Sequence, residues 1–72
     1  MDAAAHTVLD AVAAEDWEAV RLALHPYLHW EEPGAPPVRG RTRVLERLRD
    51  GPPPAPPRSV ELRDGQVYRW RA

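Results

Sequence analysis

The chain contains no cysteine and no lysine, has no apolar run long enough to cross a bilayer, and carries almost no net charge. Each absence excludes a class of function. Without cysteine there are neither disulfides nor thiolate metal sites, and a reducing cytoplasm is the expected location. A membrane-spanning helix needs about 20 consecutive apolar residues. The opening MDAAAHTVLD places an acid and a histidine where a secretion signal carries basic residues and a long apolar core. At a formal net charge of −1, bulk electrostatics favour neither nucleic acid nor an anionic membrane as partner. Every basic residue is arginine. Beside abundant Ala, Pro and Val, this reads as a coding bias rather than a selection for guanidinium chemistry. No internal repeat is evident.

What remains is one small domain over residues 1–72. At that size a single core supplies only a few kcal/mol of net stability, so self-association is the expected reinforcement. From Ala3 to Ala14 the spacing of Ala5, Val8, Leu9 and Val12 predicts a helix, with Asp2 and Asp10 on its polar side and His6 solvated. Asp16 is placed to cap a second helix carrying Trp17, Val20 and Leu24 on one stripe, with Trp17 as a core anchor. Pro26 ends that helix at Leu24 or His25, so His25 falls at a helix C-terminus and the chain runs extended from Tyr27 to Glu32. Period-two alternation sets Leu28, Trp30 and Glu32 on one face of this strand and Tyr27, His29 and Glu31 on the other.

Pro33 to Pro37 form a turn-rich loop, and Val38 and Arg39 a very short strand. Gly40 leads into a third helix over Arg41–Asp50, with Val44, Leu45 and Leu48 as its apolar stripe, Thr42 as a candidate cap and Gly51 as a left-handed terminator. The run from Pro52 to Pro57 favours polyproline II, at roughly 3.1 Å per residue. It reads as a spacer returning the chain to the sheet, and it also matches a PxxP ligand pattern. Asp64-Gly65 between Ser59–Arg63 and Gln66–Arg71 is a strong hairpin signal. A regular two-residue turn pairs Leu62 with Val67 and Val60 with Arg69, and on the other side Glu61 with Tyr68 and Ser59 with Trp70. Both hairpin faces then carry large side chains, which a homodimer packed sheet to sheet would bury.

The segments AAEDWEAVRLALHP, LHWEEPG, VRGRTRVLERL and VELRDGQVYRWR, in this order and spacing, resemble the NTF2-like superfamily, especially its SnoaL-like members. The resemblance implies an α+β fold: a short cone with two N-terminal helices, a strand, a third helix and a C-terminal hairpin on a small curved sheet. It further implies an apolar cavity and dimerisation through the sheet. The chain is shorter than the family pattern between the third helix and the hairpin, where only the proline run stands.

In ketosteroid-isomerase-like relatives the general base is a carboxylate just before the proline that ends the first strand, and Glu32 in Glu31-Glu32-Pro33 matches that position. A carboxylate on the Trp30 face would be partly desolvated, as a working base requires. The family's oxyanion donors are missing: the helix tyrosine falls near Val8, and the later acid falls in the proline run. Glu32 then has a structural alternative, accepting from an arginine such as Arg39 or Arg41.

His25 and His29 do not make a metal pair, because i, i+4 spacing aligns ligands only on a helix and Pro26 interrupts this one. No metal or other cofactor is expected. Three functions stay open: an accessory or apolar-ligand-binding dimer walled by Tyr27, His29, Trp30, Tyr68 and Trp70; an isomerase or cyclase based on Glu32; and an interaction module using the hairpin aromatics or the proline run.

Overall fold

The computed structural model describes residues 2–72. Three helices, α1 (Ala3–Ala13), α2 (Trp17–Ala23) and α3 (Arg41–Asp50), cover one face of a mixed sheet. Its strands are β1 (Leu24–Glu31), β2 (Val38–Arg39), β3 (Ser59–Arg63) and β4 (Gln66–Arg71), in the order β2-β1-β4-β3. β1 runs parallel to β4 and antiparallel to β2, and the β3–β4 hairpin closes the other edge. This is the expected α+β arrangement.

Asp2 caps α1, its side chain accepting from the Ala4 N–H at 2.8 Å. Ala5, Val8, Ala11 and Val12 are buried on one stripe, and Leu9 packs beside them half-exposed. The link to α2 is a left-handed terminator. The Glu15 N–H donates to the Val12 carbonyl and the Asp16 N–H to the Ala11 carbonyl, each at 3.0 Å, with Glu15 at φ 55°. Asp16 then caps α2 by accepting from Ala19, as its sequence position predicts.

Several local expectations are corrected. Extended backbone begins at Leu24, so His25 is a buried strand residue and not a helix terminus. Pro26 therefore lies inside β1, where the pairing with β4 slips between Leu24 and His29. A residue without an N–H is tolerated in a strand at such an irregularity. Trp17 is only half-buried, because α2 presents Val20 rather than the indole to the centre. Thr42 does not cap α3; Gly40 holds that position at φ 91° with no side-chain hydrogen bond. Gly51 is extended (φ −113°, ψ −177°), and glycine is needed there for space instead, since a Cβ would lie 2.8 Å from the Arg47 carbonyl oxygen.

The hairpin turn forms at Asp64 (φ 54°) and Gly65 (φ 76°), both left-handed as a type I′ turn demands. Leu62 pairs with Val67 as expected, but a bulge at Tyr68 shifts the rest. Glu61 meets Arg69, Val60 meets Trp70 and Ser59 meets Arg71. The extra residue changes the face that Trp70 occupies. Val67 and Trp70 both point inward, three positions apart, and Trp70 is fully buried within one chain rather than on an outer dimer surface.

Across the sheet the registers align Val38, Trp30, Trp70 and Val60 in one inward row. The two indoles stack at 4.5 Å between ring centroids and 10° between planes. With Val8, Val20, Leu24, Leu28, Val44, Leu48 and Val67, they form the core.

Candidate functional site

Two places gather the chemistry-bearing residues: the Glu32 corner on the inner side of the sheet, and the outer face of β1 and β4. Glu32 follows β1 and continues the face of Leu28 and Trp30, as the alternation predicts. Its side chain is only 14% exposed. One carboxylate oxygen accepts from the Trp30 indole N–H at 2.6 Å, and the other from Arg47 Nη2 at 2.7 Å. Arg47 also donates from Nη1 to the Pro52 carbonyl at 2.8 Å. The pairing of Glu32 with an arginine is of the expected kind, but the partner is Arg47 of α3 and neither Arg39 nor Arg41. Both oxygens thus take part in a junction joining β1, α3 and the start of the proline run.

The five aromatic and imidazole side chains expected to wall one pocket are divided between two faces. Trp30 and Trp70 are buried against each other inside. Tyr27, His29 and Tyr68 are outside. Tyr68 sits at the bulge, half-buried, edge-on to His25 at 5.2 Å and to His29 at 5.4 Å. The Arg63 guanidinium lies 4.1 Å from its ring centroid, within cation–π range. Tyr27 is 76% exposed. His25 anchors this cluster from below, its Nδ1 accepting from the Tyr27 N–H at 3.0 Å. The neutral ring must then carry its proton on Nε2, which faces the Asp64 carboxylate at 4.0 Å.

Around these rings the outer face is built of charge. Arg39, His29, Arg69 and Glu61 form one cross-strand row, and Glu31, Arg71 and Ser59 the next. Arg69 pairs with Glu61 at 3.1 Å and Arg71 with Glu31 at 3.4 Å; among the described residues Arg39 makes no ion pair. His29, Glu31, Arg39, Arg69 and Arg71 line a shallow, open depression of about 220 Å³. This grouping was not visible in the sequence, because it depends on the slipped β1–β4 register. Among the described residues, no three His, Asp or Glu side chains converge as a metal site, and no helix is long and apolar enough to cross a membrane.

The backbone has the NTF2-like fold that the resemblance implied, over part of the length of the two solved structures described next. The chain superposes on a protein of Kribbella flavida DSM 17836 assigned as a ketosteroid isomerase, with a TM-score of 0.75 and 19% identity, over 93% of this chain and 71% of that one. It also superposes on an LEH-like epoxide hydrolase of M. tuberculosis, with a TM-score of 0.73 and 24% identity, over 94% of this chain and 77% of that one. No protein-family model matches the sequence, and no curated protein matches it significantly.

Proposed function

We propose that the chain is an accessory module of NTF2-like fold that works by pairing with a second copy through the outer face of its sheet. The observation that carries this reading is the composition of that face. Exposed Tyr27 and half-buried Tyr68 stand among arginines and glutamates arranged in alternating rows. A two-fold contact brings the same patch of both copies together, so a patch holding both signs of charge is self-complementary. Among the described residues Arg39 of one copy is paired with no carboxylate, and Glu31 and Glu61 of the other are half-exposed and able to accept from it.

The inner face supports the same reading from the other side. The two indoles are buried and stacked on each other, and an apolar ligand entering between them would have to separate a contact worth more than its buried area alone. A proton-transfer role for Glu32 has less support, because both of its oxygens are already engaged, one by the Trp30 indole N–H and the other by Arg47.

Light scattering over a range of concentrations tests the proposal. The expected mass is about twice the 8.1 kDa chain, falling toward the single chain on dilution. Tyr27→Glu, at a site with little role in the fold, is expected to raise the dissociation constant at least about tenfold. A wild-type chain that keeps the single-chain mass at every concentration overturns the proposal.

A further inference from the structure

The proline run is the one motif not absorbed by the fold or by the proposed dimer face. Proline fixes φ near −65°, and the residue before a proline is held in the extended region. Gly51, Pro52, Pro53, Ala55 and Pro56 all precede prolines, so almost every residue of the segment is confined to polyproline II geometry. That helix turns once every three residues and is a triangular prism with three edges. Burial follows this period. Pro54 is buried and Pro57 half-buried, whereas Pro52, Pro53, Ala55, Pro56 and Arg58 are exposed. One edge, Pro54 and Pro57, lies against the body. The other two, Pro53 with Pro56 and Pro52 with Ala55 and Arg58, face solvent.

We propose that residues 52–58 are a preformed docking ridge for an SH3-type domain, read as Pro53-x-x-Pro56-x-Arg58. An SH3 groove takes two edges of a polyproline II helix between aromatic side chains and leaves the third edge outside. The exposed and buried edges here divide in that way. Arg58 supplies the directional element. A cation two residues beyond the second proline meets the acidic end of such a groove, and among the described residues the Arg58 side chain makes no ion pair that would have to be broken.

The ridge is tied at both ends. Arg47 donates to the Pro52 carbonyl at 2.8 Å, and the Arg58 N–H donates to the Arg71 carbonyl at 2.6 Å. Ordering a linear peptide costs part of its binding free energy, and in this chain that cost is already met by folding. Docking at the ridge is independent of the outer sheet face, so it stands whether or not the chain dimerises.

The test is a titration of the ¹⁵N-labelled full chain with a purified SH3 domain selective for the PxxPxR pattern. Saturable amide shifts are expected, centred on Ala55 and Arg58 and their neighbours in β3, with the core amides unmoved. Pro56→Ala and Arg58→Glu alter exposed side chains and are each expected to weaken binding at least about tenfold while leaving the spectrum of the free chain folded. Arg43→Glu, an exposed charge change on α3, is expected to leave affinity unchanged. Three results overturn the proposal: no saturable shift up to millimolar SH3 domain, binding that survives both ridge variants, or equal weakening by Arg43→Glu, which would mark general charge attraction.

Discussion

Trp30 and Trp70 stack at the centre of the core, yet their polar ends are in unlike positions. The Trp30 indole N–H donates to Glu32 at 2.6 Å, whereas the Trp70 N–H is buried without a protein partner among the described residues. Replacing either with phenylalanine removes similar volume. Trp30→Phe also strips a donor from a largely buried carboxylate, and Trp70→Phe removes a polar group that has no partner to lose. Trp30→Phe is therefore expected to cost about 1.5–3 kcal/mol more than Trp70→Phe in urea unfolding, the worth of a hydrogen bond to a charged group. Equal costs would show that the Glu32 bond adds nothing net. At this scale the inward direction of Trp30 and Glu32 was readable from alternation along β1, but the guanidinium that holds Glu32 was not. Arg39 and Arg41 lie nearer in sequence, and only the docking of α3 brings Arg47 to the carboxylate.

Within elements, the joint between α1 and α2 holds the clearest strain. Glu15 sits left-handed at φ 55° where such terminators usually have glycine. A side chain in that region costs about 1–2 kcal/mol. Glycine would relieve this at some expense in unfolded-chain entropy. The net expectation for Glu15→Gly is a gain of about 0.5–1 kcal/mol, read as a raised urea midpoint with an unchanged slope. A lowered midpoint would mean that the Glu15 side chain contributes a contact outweighing its strain. Nearby on α2, the hydrogen bond from Arg21 holds the exposed Glu18 carboxyl below its usual range and the Arg21 guanidinium above its own. The hairpin turn and the Asp16 cap were legible because each depends on residues a few positions apart. The bulge at Tyr68 was not, since nothing in Gln66–Arg71 demands an extra residue until Trp70 has to reach Trp30.

For the whole molecule, the order β2-β1-β4-β3 places the hairpin's second strand beside the first strand of the chain, and this juxtaposition creates the Arg/Glu rows of the outer face. If those rows join two copies, the contact is between solvent-accessible charges and is screened by salt. Raising ionic strength from about 0.05 M to about 0.5 M shortens the screening length to well below 10 Å and is expected to weaken the dimer severalfold in sedimentation equilibrium. Salt-insensitive pairing would instead assign the contact to Tyr27 and Tyr68. The shortening relative to the family pattern also acts at this scale. The proline run crosses from α3 to β3 without adding a strand, and the stacked indoles lie inside the small sheet that results.

The sequence by itself determined the helices, the short β2, the hairpin with its Asp64-Gly65 turn, the two faces of β1 and the α+β class of the fold. Each rests on local chemistry: apolar periodicity, caps, proline's fixed φ and glycine's tolerance of positive φ. Only the tertiary structure decided which arginine holds Glu32, which face Trp70 takes and which charges share the outer surface. Those outcomes depend on register between strands distant in the chain, and register is chosen by how the two indoles and the helices above them fill one volume.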